Sequence, residues 1–362
     1  MTYLHRLPTL VKRLFSAKIS KGVAFLPIGS NVHPVFRSHY LFLQDKTALP
    51  LRNKVLHVIN RLPRRLEGRA YVAEVEGLHS VLHKHIRQAI SYSNDDSMAL
   101  IETMIRSGGL RGIVFQSWSA KGRNDGLMNS FIESHCYVAT AVPPRIIPRI
   151  ASSHSEEIRI LLIGTNFVRK GFFLLPDIIE SVRSVNSNIR FTLVCSELSD
   201  DLVVLKKIEG LNIYIKQRLS PRERDDFFLN HHFLLNLSVG DTLGTFLDSI
   251  EYNLPLIGFA GQHGKSYVKK DFGYLVESPI FEYDPDSTWT IHTFENVVLN
   301  LFLQGGFTSS IQEIVEIILE LRLNESYDKM CSHQLEYAKN HLSIDKWLSD
   351  WNEIYTRVSS EF

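Results

Sequence analysis

Cysteine is scarce in this sequence: Cys136, Cys195 and Cys331 lie far apart and form no CxxC pair. That excludes a sequence-visible zinc site and points to a reducing, cytosolic compartment. No run of about 18 apolar residues occurs, which argues against a membrane-spanning helix. The N-terminal MTYLHRLPTLVKRLF is interrupted by Arg6, Lys12 and Arg13 and does not read as a signal peptide. The phosphate-binding patterns GxxxxGK[ST] and GxGxxG are missing, as are internal repeats and low-complexity tracts.

What is present is an ordinary globular composition, 44% hydrophobic and 22% charged, over 362 residues. That length exceeds a comfortable single core, so two domains are expected. The net charge of +1 conceals an asymmetry: residues 1–150 carry 21 Lys+Arg against 9 Asp+Glu, and the remainder 19 against 30. The first 66 residues hold twelve basic residues and one acid, Asp45. Halves of opposite charge suggest domains with different partners. A basic face suits an anionic membrane surface, a phosphorylated substrate or nucleic acid, or is simply solvated.

Apolar spacing predicts an amphipathic helix over 3–18, then strands over 22–29, 54–60, 69–76, 112–118 and 136–142. Helices are expected over 79–91, over 96–107 with Asp96 as its cap, and from the fourth strand to about Ser134. The Pro- and Ser-rich stretch 141–157 reads as a linker. A second series follows, with strands at 158–164, 189–196, 211–217, 231–238 and 254–261 and a helix over 172–185. Helices over 311–323, 326–342 and 344–358 close the chain, the last capped by Ser343 and carrying Trp347, Trp351 and Ile354 on one face. Strands alternating with helices mean parallel α/β sheets. Ligands of such sheets sit at the carboxyl ends of the strands, where helix N-termini point.

Two strand-end loops carry candidate chemistry. In GTNFVRKG (164–171), Gly164 turns the chain off a buried strand, and Arg169 and Lys170 sit beside Gly171, where the next helix begins. Two cations at a helix N-terminus make an anion site; the plainer reading is a pair of solvated charges. In SVGDTLGTFLDSIEYNLPLIGF (238–259), Leu243, Phe246, Leu247 and Ile250 form one apolar helical stripe. Asp248 lies off it, Asn253 suits a left-handed C-terminal residue, and Pro255 stops the helix. Gly244 and Thr245 then present backbone amides that a phosphate can approach. Asp241 is a sugar ligand or simply the helix cap.

These residues resemble the retaining GT-B-fold glycosyltransferases often called family 4. That family begins its nucleotide-binding domain with a strand and G-R-x4-K-G, matched by Gly164, Lys170 and Gly171, with Thr165 in the place of the Arg. Its S-x-x-E-G-F-G, second Glu and Gly-x-Pro are matched by Ser238 to Gly244, Asp248, and Asn253 to Pro255. Both acids are Asp here, and they stand seven apart rather than eight. KKDFGYLV (269–276), SWSAK (117–121), ATAVPP (139–144) and the closing helix (342–355) also resemble family elements.

The resemblance implies two Rossmann-like domains: an acceptor-binding one over 1–148 and a nucleotide-sugar-binding one over 149–342. A C-terminal helix, 343–362, would cross back to the first. It implies transfer of a sugar from a nucleotide-diphosphate donor to a glycan or lipid-linked acceptor, with retention, in bacterial surface polysaccharide assembly. No metal or other cofactor is implied, since fixed cations and backbone amides can stabilise the leaving diphosphate. Donor-binding candidates are Gly164, Arg169, Lys170, Glu197, Arg218, Leu219, Asp241, Thr242, Leu243, Gly244, Thr245 and Asp248, with Asp248 toward the ribose and Asp241 toward the donor sugar. Catalytic candidates are Asp241 and Glu76; acceptor candidates are Ser30, Asn31 and His33. Asp284-Pro285-Asp286 reads as a turn, not a metal motif. His79, His83 and His85 read as a helix face. The expected location is cytoplasmic, with peripheral membrane contact through the basic first domain, and nucleic acid is not an expected partner. The alternative is a non-catalytic GT-B partner or chaperone of an active transferase, motivated by Thr165 and the shortened acids.

Overall fold

The computed structural model describes residues 24–26, 56–59, 71–75, 78, 94–141, 144–147, 156–196, 205–217, 219–240, 243–281 and 293–360. The helices expected over 3–18 and 79–91 lie outside the described residues. The described chain divides into two compact units, one within 1–143 plus 342–362, the other within 144–284 and 288–341.

The first unit is built on five parallel strands: β1 (Ala24–Leu26), β2 (Leu56–Ile59), β3 (Tyr71–Val75), β4 (Leu110–Phe115) and β5 (Cys136–Val138). They lie side by side in chain order. β3 and β4 are almost wholly buried, Glu74 of β3 included. Helix α1 (Asn94–Arg106) covers one face with Met98, Ile101 and Ile105. It starts two residues before Asp96, so Asp96 stands within the helix and is not its cap. The single helix expected up to Ser134 is broken into α2 (Trp118–Asn124), a 3-10 turn and α3 (Ser130–Glu133). The break falls at Gly126 and at Asn129, whose side chain accepts the amide of Ile132 and caps a new helix.

The second unit carries six parallel strands: β6 (Ile158–Gly164), β7 (Ile189–Cys195), β8 (Leu211–Ile215), β9 (Phe233–Asn236), β10 (Leu256–Phe259) and β11 (Gly273–Val276). Their spatial order is β8-β7-β6-β9-β10-β11. The chain winds outward from β6 to β8, returns to β9 on the other side of β6, and winds outward again. β6 therefore pairs with β7 along its length and with β9 through Ile160 and Leu161. This is the doubly wound order, with its reversal between β6 and β9.

The helices of this unit are α4 (Leu175–Val185), α5 (Pro221–Leu229), α6 (Leu243–Glu251), α7 (Gly264–Tyr267), α8 (Phe294–Leu303), α9 (Thr308–Glu320) and α10 (Glu325–His341). One core joins the inner faces of β6, β7 and β9 to α4, α8 and α9. The last helix, α11 (Ile344–Ser360), belongs to the first unit. Its amide at Lys346 bonds the Ser343 hydroxyl, the expected cap. Trp347, Trp351, Ile354, Tyr355 and Val358 pack on Val72, Val114 and Ala139, and Asp350 accepts bonds from the Thr140 amide and hydroxyl.

Candidate functional site

At the reversal between β6 and β9 the chain leaves two adjacent strands in opposite directions, which opens a crevice at their carboxyl ends. The two loops singled out in the sequence emerge there. The first follows β6 as a tight turn: Asn166 accepts the amide of Arg169 on its side-chain oxygen at 2.7 Å and the amide of Lys170 on its carbonyl. Gly171 has φ 67°, and a Cβ there would lie 2.0 Å from the Leu237 carbonyl oxygen. Only glycine fits, because the first loop lies directly against the second.

One atom ties them. The carbonyl oxygen of Arg169 accepts from the Ser238 hydroxyl at 2.9 Å, the Val239 amide at 3.0 Å and the Gly240 amide at 3.3 Å. Both loops are thus held as one surface. The Lys170 stem crosses Gly164, where a Cβ would lie 2.7 Å from Lys170 Cγ. Gly164 and Lys170 are both partly exposed. The Arg169 side chain is engaged with α8: its Nε donates to Glu295 at 3.1 Å, and the Asn166 side-chain amide donates to the same oxygen.

α6 follows the second loop. The predicted stripe is buried, but so are Asp248, Ser249 and Glu251; only Gly244 and Thr245, in the first turn, are partly exposed. Neighbouring helices cover the face off the stripe: Gln334 of α10 donates to the Ser249 hydroxyl, and Arg224 of α5 reaches Asp248. The helix ends as the sequence indicated. Asn253 has φ 49°, its amide bonds the Ile250 carbonyl, and the Leu254 amide bonds that of Ser249, which is the Schellman pattern.

Asp248 is 1% exposed, with Oδ1 2.5 Å from Nη2 of Arg224. The Arg224 guanidinium lies 5.3 Å from the rings of both Phe228 and Tyr252, which stack at 4.4 Å. Burial alone would lower the Arg224 pKa, but Asp248, Tyr252 and Glu251 outweigh it and raise the pKa, so the cation is held charged. Beside it, Tyr252 donates to Asp225 at 2.6 Å, and Arg145 pairs with Asp225 at 3.2 Å.

Of the sequence candidates, Gly164, Lys170, Leu243, Gly244 and Thr245 border the reversal. Leu219 sits just before Ser220, the cap of α5. Arg169 and Asp248 are engaged by Glu295 and Arg224. Ser30, Asn31, His33, Glu76, Glu197, Arg218, Asp241 and Thr242 lie outside the described residues, as do Asp284, Asp286, His79, His83 and His85. Among the described residues no cluster of His, Cys, Asp and Glu could hold a metal ion, and no helix is long and apolar enough to cross a membrane. Sequence reasoning passed over Arg224 and Glu295. Arg224 had a signal: a cation near a helix N-terminus opposes the helix dipole and needs a compensating acid.

No protein-family model matches the chain, and no curated protein does. Solved structures match in fold. TarM from S. aureus, crystallised with UDP and alpha-GlcNAc-glycerol among its ligands, matches with a TM-score of 0.54 at 11% identity, over 83% of this chain and 55% of that one. The pneumococcal O-GlcNAc transferase GtfA, in complex with UDP and GlcNAc, matches with a TM-score of 0.53 at 13% identity, over 85% of this chain and 57% of that one. A glycosyltransferase from Rickettsia africae ESF-5 matches with a TM-score of 0.53 at 12% identity, over 84% and 76%. The chain spans about half the length of TarM and GtfA. It has the GT-B fold of glycosyltransferases.

Proposed function

We propose that this protein is a glycosyltransferase that moves a sugar from a nucleotide-diphosphate donor to a glycan or lipid-linked acceptor. The observation that carries the reading is the joining of the Lys170 loop and the Ser238–Gly240 loop, through the Arg169 carbonyl, at the strand-order reversal. In this reading Lys170 and the first-turn amides of α6 at Gly244 and Thr245 hold the donor diphosphate. Breaking the sugar–phosphate bond leaves charge on that diphosphate, and a fixed cation with preorganised amides stabilises it without a metal. Asp241 meets the donor sugar and Glu76 the reaction centre, with Glu197, Arg218 and Leu219 near the base. Ser30, Asn31 and His33 serve the acceptor. Retention, surface polysaccharide assembly, and a cytoplasmic enzyme resting on an anionic membrane through its basic first 66 residues complete the reading.

Calorimetric titration with UDP, GDP, ADP and their sugars tests it. One nucleotide is expected to bind, and Lys170→Ala is expected to weaken it at least tenfold; wild-type affinity in that variant would overturn the diphosphate assignment. A second reading is a non-catalytic partner of an active transferase, favoured by the engagement of Arg169 with Glu295 and of Asp248 with Arg224. Binding without transfer to any acceptor in an extract of lipid-linked glycans would select it.

A further inference from the structure

Trp347 and Trp351 are each 3% exposed, as a large apolar ring ordinarily is. Trp118 is 73% exposed. It opens α2 just beyond the carboxyl end of β4, the end of a parallel sheet at which ligands bind. We infer that the Trp118 ring is a stacking platform for a pyranose ring of the acceptor glycan, with the bare backbone at Gly122 as the floor beside it. Naming that glycan the acceptor rests on the proposed function; the platform itself does not.

A singly exposed apolar side chain needs no ligand to explain it, so the weight falls on Gly122. It stands one turn on from Trp118, on the same face of α2. Helical side chains lean toward the N-terminus, so a side chain at 122 would lie over the turn that carries Trp118. Glycine inside a helix weakens it relative to alanine, and neither backbone nor packing requires glycine here. Its φ is not positive, and among the described residues nothing lies within 4 Å of a Cβ built on it. Gly126, in the turn that follows α2, is equally open. The chain thus forgoes helix stability where a side chain would crowd the ring.

The opposite face of α2 holds the platform still. Ala120 and Asn124 are buried. Asn124 donates to the Ala120 carbonyl at 2.7 Å and accepts the Leu78 amide at 3.2 Å. The Ser117 hydroxyl accepts the Ala120 amide at 3.0 Å and caps the helix. A ring carried on a fixed helix loses little freedom on binding.

The surroundings select the occupant. One face of a pyranose presents C–H bonds with slight positive charge, which suit the negative face of an indole, while its hydroxyls point outward to polar neighbours and water. Beside Trp118 stands the partly exposed Ser119, and the rest of α2 adds no exposed apolar side chain. Among the described residues of the first unit, the other exposed large apolar side chain is Leu100, on α1. A protein or membrane partner calls for a broader apolar patch.

The test uses the full chain labelled with 5-fluorotryptophan, the Trp118 resonance being the one lost in Trp118→Phe. Titration with glucose, galactose, mannose, N-acetylglucosamine and their methyl glycosides is expected to move that resonance saturably for at least one sugar, in the millimolar range. Saturation-transfer NMR on that sugar then reads the variants. Trp118→Ala is expected to weaken it about tenfold or more at an unchanged melting temperature, and Trp118→Phe to keep part of the affinity. Gly122→Ala is expected to raise the melting temperature, and Gly122→Leu to abolish binding. If no sugar of the panel moves the resonance, or if Trp118→Ala or Gly122→Leu binds as wild type does, the inference falls. Movement by phosphatidylglycerol vesicles and by no sugar makes Trp118 a membrane contact and overturns it too. Nucleotide titration decides the proposed function separately: sugar binding without nucleotide binding keeps the platform and removes the transferase, and nucleotide binding without sugar binding does the reverse.

Discussion

Gly171 shows how much one residue can decide. Its φ of 67° lies in the left-handed region that side-chain-bearing residues rarely adopt, and the Leu237 carbonyl oxygen 2.0 Å from where a Cβ would stand is backbone and cannot swing aside. Gly171→Ala is therefore expected to lose about 3 kcal/mol or more in denaturant unfolding, and to loosen the loops that the Arg169 carbonyl joins. Cys136 illustrates the opposite case, a residue with reactive chemistry that the fold silences. Burial pushes its thiol up to about 12, with Lys121 opposing the rise. The thiolate is the nucleophile, so alkylation of the native protein at a pH of about 8 should leave Cys136 unmodified, whereas denatured protein should label at all three cysteines. Modification of Cys136 in the native state would show that its surroundings open.

At the scale of the element, α5 and α6 are the informative helices. α5 begins with a capping box: the Glu223 amide bonds the Ser220 hydroxyl, and the Glu223 carboxylate accepts from the Ser220 amide. Glu223 is also paired with Lys216. The Lys216 bond first, then the Ser220 amide, depress its pKa to about 2. A depressed carboxyl stabilises the fold above its unfolded pKa of about 4.3 and loses that contribution as pH falls toward 2. The melting temperature of Glu223→Gln should thus lie below wild type at neutral pH, with the gap closing between pH of about 4.3 and 2; a gap that persists at the low end would mean the carboxylate is not the source. α6 ends on Asn253 in a left-handed conformation. Asn253→Gly should be tolerated, and Asn253→Ala should cost about 1 kcal/mol, read as a shift in the denaturant midpoint.

For the whole molecule, α11 is the element whose sequence position and packing differ most. It follows the last helix of the second unit but buries Trp347, Trp351 and Tyr355 on the first. Burial holds the Tyr355 hydroxyl well above its ordinary pKa, and Glu74 adds to the effect. Removing so large an aromatic face uncovers Val72 and Val114, the outer face of β3 and β4. Trp351→Ala should destabilise the first unit by about 3–5 kcal/mol, seen as an earlier, separate melting transition with the second unit unchanged. A single unshifted transition would contradict the assignment of α11 to that core.

Local chemistry alone determined much of this. The apolar run of β6 marked a buried parallel strand, because a strand covered on both faces does not need to alternate apolar with polar residues. Ser343, Asn253 and Pro255 marked helix ends through the hydrogen bonds and dihedrals they favour. Gly164, Lys170 and Gly244 marked the loops that meet at the reversal. Asp96 misled, because a capping residue type inside a first turn looks like a cap. What only the tertiary structure decided is the order of the strands, and so which two loops meet. It also decided the partners of the charges: Arg169 finds Glu295, 126 residues away, and Asp248 finds Arg224 on another helix. Periodicity reports which face of an element is apolar. It carries no information on which neighbour covers the polar face, and on α6 that neighbour is α5, whose Arg224 pairs with Asp248.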